Sequence, residues 1–309
     1  DEQRGYFMRY LAENYFQTND LSALAAEKSR VTQVDKSHAF IGAEKKYPTD
    51  LANFKVKQHP KETAYFNIKL VVSVFLYLAF AIWVVYEASS SWYSAMALLL
   101  IVPVVLIIIL FNKLIHGIFI GIIKGNSTQV TKDQFPEIYS IVEAQSAKLK
   151  VKVPEIFIAH GHFNSFVTKY SRGHVLMIYS EVVETTLQGS FDVLSYVTAH
   201  ELCHIKQKHL SKGKYLFPSR IVPLLSLAYS RGCEYTCDRV GYHFSPKGSI
   251  EGILILTLGK EIYAKMNIEK HIESAKHNEG FWTWLSEKLL THPHLYKRLI
   301  EIKKYSQFN

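Results

Sequence analysis

Cysteine is scarce in this chain. Only Cys203, Cys233 and Cys237 occur among 309 residues, and no spacing between them repeats. An odd number of cysteines without a repeated spacing provides no disulfide framework, which suits a reducing cytosol. We therefore expect no disulfide scaffold and consider the three thiols only as packing residues or as metal ligands.

Charged residues are missing from two long stretches. None occurs from 70 to 86, and none occurs from 88 to 112. Each stretch is long enough to cross a hydrocarbon core of roughly 30 Å at about 1.5 Å per helical residue. A pair of buried core helices is the alternative, but neither stretch has a polar face to offer to solvent. The pattern predicts a transmembrane hairpin with helices over about 68–87 and 94–116.

The hairpin divides the chain into three parts. Residues 67–124 form the predicted hairpin, and residues 1–66 form a cytoplasmic N-terminal region of mixed composition. Residues 125–309 show apolar positions at helical and strand spacing, which is typical of a folded domain. We expect an α+β fold that is mostly helical, with a small β-sheet. The predicted elements are helices within 131–149, 192–209, 230–241, 248–266 and 286–304 and strands at 155–160 and 174–180.

Positive charge is concentrated at the two ends of the hairpin. The chain carries a formal net charge of +9, whereas the link between the predicted spans carries only Glu87. This asymmetry is the positive-inside pattern, and it predicts that both ends of the hairpin lie in the cytoplasm. The remaining positive charge is explained by attraction to anionic lipid headgroups, so we expect a lipid membrane as a partner. The sequence shows no DNA- or RNA-binding module, so we expect no nucleic acid. The lysines concerned are Lys55, Lys57, Lys61, Lys69, Lys113 and Lys124.

The segment HELCHIKQKH, residues 200–209, contains the strongest chemical signal. In a helix, residues i and i+4 share a face, so His200 and His204 can present two imidazoles to one ion. Glu201 lies on the flank of that face, where it would take a proton from the attacking water rather than bind the metal. A catalytic zinc site has three protein ligands and leaves one position open. A third ligand is therefore expected on a nearby element.

The segment SRGCEYTCDRVG, residues 230–241, offers that ligand. Glu234 would complete a His, His, Glu site, and Asp238, four residues on, would hydrogen-bond the far nitrogen of a ligand histidine. Cys233 and Cys237 are the rival ligands, although a helix turns them about 100° away from the face of Glu234. Cysteine ligation would favour a closed structural zinc site over a catalytic one.

HELCH, SRGCEYTCDRVG and THPHLYKRL together carry a family resemblance. From about Thr131 to Leu299 the chain resembles the HtpX and CAAX prenyl protease family of membrane-bound zinc metallopeptidases, and its two predicted spans resemble those of HtpX. The resemblance implies a zincin-type metalloprotease domain over residues 125–309. It also implies one Zn²⁺ per chain.

The resemblance assigns roles to individual residues. His200, His204 and Glu234 correspond to the zinc ligands, Glu201 to the catalytic base and Asp238 to the residue that orients a ligand. Asn164 and Ser165 match the edge-strand segment that lines the substrate groove, and Phe166 beside them is a further substrate-binding candidate. His292 and Arg298 match the histidine and arginine of the C-terminal motif. These two are expected to serve the transition state, the alternative being a loop histidine and a surface arginine.

The chain departs from the family in two places. HtpX has a second membrane hairpin between its two motif helices, where this chain has only YLFPSRIVPLLSLAY, residues 215–229. We expect that segment to touch the membrane or to cap the domain. Cys237 stands where the family commonly has alanine. Two spans are also too few for the membrane chamber of the prenyl proteases, so that activity is not expected.

The expected function is that of a membrane-anchored zinc endopeptidase. It would hydrolyse peptide bonds of misfolded or membrane proteins at the cytoplasmic face of the bacterial inner membrane. Polypeptide substrates would add a strand to the sheet edge near Asn164. The alternative is a catalytically silent zinc-binding adaptor that binds peptides, whose sequence mark would be the loss of Glu201 or of a ligand. Histidines outside the motifs, His209 among them, are expected to be surface or packing residues.

Overall fold

The computed structural model describes residues 55–307 apart from residues 172 and 189. The N-terminal region predicted for residues 1–66 therefore lies mostly outside the described residues. The described chain is mostly helical and contains a small mixed sheet, which confirms the expected fold class at that level.

Two long helices precede the rest of the described chain. Helix α1 spans Pro60–Ser90, and helix α2 spans Trp92–Asn126. Both are long and apolar enough to cross a membrane, and most of their apolar side chains are exposed. The helices extend beyond the predicted spans at both ends, so the link shrinks to Ser91, whose hydroxyl accepts a hydrogen bond from the backbone N–H of Ser94 and caps α2.

A four-stranded sheet follows the hairpin. The elements are β1 Thr128–Val130, helix α3 Pro136–Leu149, β2 Glu155–Ala159, β3 Ser165–Tyr170 and β4 Gly173–Tyr179. The strands lie in the order β1-β2-β4-β3. Strands β2 and β4 pair in parallel, whereas the two outer pairs are antiparallel, and β3 forms one edge. The residue pattern predicts β2 and β4, the family resemblance implies an edge strand at Asn164 and Ser165, which is β3, and the structure adds β1.

The rest of the chain is helical. The helices are α4 Ser180–Glu184, α5 Asp192–Lys206, α6 His209–Lys212, α7 Leu225–Phe244, α8 Pro246–Leu258, α9 Ile268–His277, α10 Phe281–Leu289 and α11 Leu295–Ser306, with 3-10 turns at Thr185–Gln188, Pro218–Ile221 and Tyr263–Lys265. The helix predicted over 248–266 is shorter because Gly259 ends it with a positive φ of 80°. The helix predicted over 192–209 also ends early, because Lys208 adopts the left-handed conformation. His209 consequently begins a separate turn, α6.

Helix α5 forms the centre of the folded domain. It packs against α3, α7 and α8, and nearly all its side chains from Val193 to Ile205 are buried. The ring of Tyr196 fits into space left by two glycines, since a Cβ on Gly241 or Gly252 would lie 2.5 or 2.9 Å from it. These close approaches set the separation between α5 and its two neighbours.

The first turns of α1 belong to the folded domain. A Cβ on Gly232 of α7 would lie 2.8 Å from the Cα of Glu62, so the backbones of α1 and α7 touch there. Two turns later, the Lys69 ammonium donates to the Ser226 hydroxyl at 2.7 Å. The packed part of α1 therefore ends about where its charge-free stretch begins.

Candidate metal centre

Three imidazoles surround one buried carboxylate. His200 and His204 lie one turn apart on α5, and their rings are 5.2 Å apart. Their Nε2 atoms lie 3.2 and 3.5 Å from the two oxygens of Glu234 on α7. The Nε2 atom of His292, in the loop before α11, lies 3.6 Å from the same carboxylate. The structure thus brings together the three predicted metal ligands and the predicted C-terminal histidine.

His292 differs from the other two histidines in its exposure. Its side chain is 53% exposed, whereas those of His200 and His204 are largely buried. The side chain of Thr291 lies 2.9 Å from its Nδ1 atom. His292 therefore lies between the buried group and solvent, in the loop before α11.

Glu201 points toward the edge strand. Its carboxylate accepts a hydrogen bond of 2.9 Å from the Ser165 hydroxyl at the start of β3. Burial raises the pKa of Glu201, an effect that the Ser165 hydrogen bond and the nearby His200 only partly oppose. A carboxylate with a raised pKa is better matched to accepting and returning a proton near neutral pH.

His200 is held from behind by a buried ion pair. Its Nδ1 atom lies 3.1 Å from Asp238, the geometry predicted from the sequence. Two guanidinium nitrogens of Arg298 donate to Asp238 at 2.8 and 2.6 Å, and the Tyr196 hydroxyl donates to it at 2.8 Å. Burial tends to raise the pKa of Asp238, but Arg298 outweighs it and holds that pKa well below the usual range.

The position of Arg298 corrects one expectation. The sequence suggested that this side chain would hold substrate or a developing oxyanion. Arg298 is instead buried behind the centre, where its guanidinium binds Asp238 and the Tyr196 hydroxyl. Arg298 therefore acts on the centre only through Asp238 and His200.

His204 is supported differently, by two residues that are not among the predicted site residues. Its Nδ1 atom lies 3.0 Å from Nδ1 of His209, and Nε2 of His209 lies 3.1 Å from Glu62 of α1. His209, which was expected to be a surface or packing residue, is thus in contact with a candidate ligand. Its place as the third histidine of HELCHIKQKH was a usable signal, whereas nothing local in the sequence indicated Glu62.

The cysteines remain rival ligands by distance. His200, His204 and Cys237 offer ligand atoms within 4.8 Å of one another, as do Glu62, His209 and Cys233. All three thiols are buried. Burial raises the pKa of Cys237 well above its usual range, which disfavours the thiolate that a metal requires. Glu234 is therefore the better third ligand.

The charges of the centre suit a divalent cation. Burial disfavours the ionised form of Glu234, but the three histidines around it outweigh that effect and hold its pKa well below the usual range. Burial also keeps the pKa of His204 low, so its imidazole is neutral. For His200, hydrogen bonds to Asp238 and Glu234 overcome burial and raise the pKa to about 10. An ionised carboxylate facing two imidazoles is a donor set that fits zinc once His200 gives up its proton.

The predicted substrate residues lie along β3. Asn164 immediately precedes the strand, and its side-chain oxygen accepts from the Ser165 N–H at 2.9 Å. The Phe166 ring stacks 6.1 Å from Phe119 of α2 and lies 6.4 Å from Tyr179. Phe166 therefore contacts the hairpin, and of the three predicted residues Ser165 is the one hydrogen-bonded to Glu201.

The chain was also compared with known proteins. None of the protein-family models matches it, and no curated protein matches it. The HtpX-type resemblance, the zincin-type domain and the zinc centre therefore stay predictions that rest on the motifs and on the geometry described above.

Proposed function

We propose that the chain is a membrane-anchored zinc-dependent endopeptidase of the HtpX type. The observation that carries the proposal is the convergence of His200, His204 and Glu234, with Glu201 directed to the adjoining sheet edge. When bound there, zinc would supply a Lewis acid that polarises the scissile carbonyl and lowers the pKa of water.

The side chains around the centre have separate tasks in this reaction. Glu201 takes a proton from the attacking water and returns it to the leaving amine, a role typically worth about 10² to 10⁴ in rate. The Ser165 hydroxyl fixes the orientation of the Glu201 carboxylate. His292, on the solvent side, donates to the oxygen of the substrate carbonyl as negative charge develops there.

We place the substrate main chain at the outer edge of β3 around Ser165, because His116 of α2 contacts the far end of that edge. The carbonyl oxygen of Lys169 lies 2.7 Å from the His116 side chain of α2, so it faces away from β4. Alternate residues of an antiparallel strand direct their main-chain groups to the same side, so those of Ser165 and Val167 also face away from β4. A peptide added to this edge would pass beside Glu201 and be recognised mainly through its backbone. Such recognition suits unfolded polypeptides of varied sequence.

The hairpin and one neighbouring loop support the membrane placement that we propose. Lys69, packed on Ser226, sets the level at which α1 leaves the folded domain. The 3-10 turn Pro218–Ile221 packs against α1 and exposes Phe217 and Ile221. We place this turn at the membrane surface, with both ends of the hairpin and the catalytic domain on the cytoplasmic face of a bacterial inner membrane.

The decisive experiment uses purified protein in detergent and casein as a general substrate. Glu201→Gln is expected to keep zinc and lose proteolysis, because the ligands are untouched while the proton acceptor is gone. Glu234→Ala is expected to lose much of the zinc. Comparable casein digestion by Glu201→Gln, or undiminished activity after full removal of metal by a chelator, would overturn the proposal.

Topology is tested by labelling single cysteines in intact cells with a thiol reagent that does not cross membranes. A cysteine at Ser90, at the exposed C-terminal end of α1, is expected to react, and a cysteine at Lys150, on the exposed surface of the domain, is not. The native Cys203 is unsuitable as a reporter because it is fully buried. Labelling at position 150 and not at position 90 would show that the protein has the opposite orientation in the membrane.

A further inference from the structure

Beside the candidate ligands lies a second buried group, formed by Glu62, His209, Thr236 and Lys212. Glu62 is on the first turn of α1 and is 0% exposed. Its carboxylate is reached by His209 at 3.1 Å, by the Thr236 hydroxyl at 2.5 Å and by the Lys212 ammonium at 3.8 Å. Such a set of donors holds the carboxylate ionised and fixed in place.

The atoms of His204 and His209 define where each proton must be. The Nε2 atom of His204 faces Glu234, so it is the nitrogen that would bind a metal. A neutral imidazole that binds through Nε2 carries its hydrogen on Nδ1. That N–H can donate only to an acceptor, and the atom 3.0 Å away is Nδ1 of His209.

Glu62 is the hydrogen-bond acceptor for His209. If Nδ1 of His209 accepts, then its hydrogen is on Nε2, which lies 3.1 Å from the Glu62 carboxylate. The series His204, His209, Glu62 therefore has one donor and one acceptor at each contact. It is the usual carboxylate support of a metal-binding histidine, lengthened by one imidazole.

We propose that His209 and Glu62 are positioning residues for the metal ligand His204, so that the first turn of the membrane helix forms part of the metal centre. This inference rests on the proposed function, because it assumes that His204 binds the metal. It goes beyond that function by assigning a role in metal binding to a residue of the hairpin. His209 orients the ring of His204, and Glu62 acts only through His209.

A second metal ion at Glu62, His209 and Cys233 is the competing interpretation of this group. Their ligand atoms lie within 4.8 Å of one another. However, both oxygens of Glu62 already accept hydrogen bonds, and the positive charge of Lys212 lies beside them. These neighbours oppose a cation, so we assign the group to hydrogen bonding.

The test measures the zinc dissociation constant of the full chain in detergent by competition with a chelator. His209→Ala is expected to weaken zinc binding about 10- to 100-fold, the range found when a supporting partner of a ligand is lost. His209→Gln, which keeps one acceptor and one donor, is expected to recover much of that loss. The cobalt-substituted protein should show a shifted absorption spectrum for His209→Ala, because the geometry at His204 is no longer fixed.

Glu62→Gln provides the second arm. It is expected to weaken zinc binding by itself and to add nothing in the His209→Ala background, since Glu62 acts only through His209. The matched control is Glu301→Gln, because Glu301 forms a similar carboxylate–histidine pair with His59 at 3.3 Å, beside the start of α1, and lies outside the group around Glu62. That control is expected to bind zinc as the unmodified chain does.

The outcomes separate the two proposals. Unchanged zinc affinity in folded His209→Ala and Glu62→Gln, additive losses in the double variant, or two zinc ions per chain of which His209→Ala removes one, would each overturn the positioning role. If His209→Ala does not fold, Glu62→Gln and His209→Gln decide alone. If the unmodified chain binds no zinc, or if Glu234→Ala binds it equally well, the proposed function itself fails.

Discussion

The two histidines of helix α5 face the same carboxylate but are supported in different ways. Behind His200 stands a compact ion pair, Asp238 with Arg298, formed by two elements of the folded domain. Behind His204 lies His209, followed by Glu62 on the long apolar helix α1. The support of His200 depends on a strong buried charge pair. The support of His204 depends on how α1 packs against α7. Different substitutions should therefore disrupt the support of His200 and the support of His204.

The largest effect is expected from breaking the ion pair. Arg298→Ala leaves the Asp238 carboxylate buried beside His200 without its main partner, and such losses typically cost about 3–5 kcal/mol in the free energy of unfolding. Denaturant unfolding of the metal-free protein would measure it. The double variant Arg298→Met with Asp238→Asn should be less destabilised than Arg298→Ala. Stability equal to that of the unmodified chain would mean that the pair contributes little on the His200 side.

The third imidazole should affect turnover rather than folding. His292→Ala removes a half-exposed donor on the solvent side of Glu234, and turnover is expected to fall about 10² to 10³-fold. Zinc content and melting temperature should stay near those of the unmodified chain, because His292 is not needed to hold His200 or His204. A loss of activity that only follows a loss of stability would assign His292 to the fold.

The packing of α1 against α7 can be disturbed without changing any polar side chain. In Gly232→Ala, the new methyl group would lie 2.8 Å from the backbone of Glu62, so α1 must move away from α7. Overpacking of this kind typically costs about 1–3 kcal/mol in the free energy of unfolding. Zinc affinity should fall as well, through the His204 side.

Gly121→Ala on α2 is the matched control for that change. A Cβ at Gly121 meets nothing within 4 Å, so zinc affinity should be unchanged and stability should be equal or slightly higher, because alanine is the better helix former. Denaturant unfolding in detergent and chelator competition would be measured for both variants. Equal behaviour of the two would show that the contact of α1 with α7 does not support the metal centre.

The pH dependence of zinc binding should come from the deprotonation of His200 and not from His204. In the metal-free protein the pKa of His200 is raised to about 10, whereas that of His204 is low. Below pH 10, zinc must therefore displace about one proton, and affinity should rise about tenfold for each pH unit from 7 to 9. Calorimetry in two buffers of different ionisation enthalpy would count the protons. Asp238→Asn should flatten the dependence, and an unaltered slope would contradict the role given to Asp238.

The smallest effect is expected from the rival thiol. Cys237→Ala should leave zinc affinity unchanged, because burial favours the protonated thiol while Glu234 is ionised. The chelator competition described above would measure it. Loss of zinc from Cys237→Ala with retention in Glu234→Ala would make Cys237 the third ligand and would contradict the proposed function.

The sequence was sufficient to predict which residues lie together when they are close to one another along the chain. The four-residue spacing of HELCH placed His200 and His204 on one face, and the same spacing in α7 placed Glu234 and Asp238 together. The absence of charge over two stretches indicated both long apolar helices. The predicted roles of these residues are still to be tested, although their positions agree with them.

The sequence was insufficient where tertiary packing decides. Nothing in THPHLYKRL tells which way the last helix faces, so Arg298 was expected at the substrate side and lies behind His200 instead. The left-handed Lys208 separates His209 from the helix of His204, which breaks the helical periodicity. Glu62 lies 147 residues from His209, and only the packing of α1 against α7 brings them together.

The close contact of Gly232 with Glu62 has a practical consequence for anyone who wants a soluble form of this protein. Removing everything before residue 125 would take away the turns of α1 that pack on α7, and it would expose side chains that are buried in the intact domain, such as Tyr229, which contacts Phe66 of α1. A better design deletes only the charge-free stretches and joins the first turns of α1 to the end of α2 with a flexible linker. In such a design, the segment from Pro60 to Lys69 would no longer anchor the protein and would serve only to support the proposed metal site.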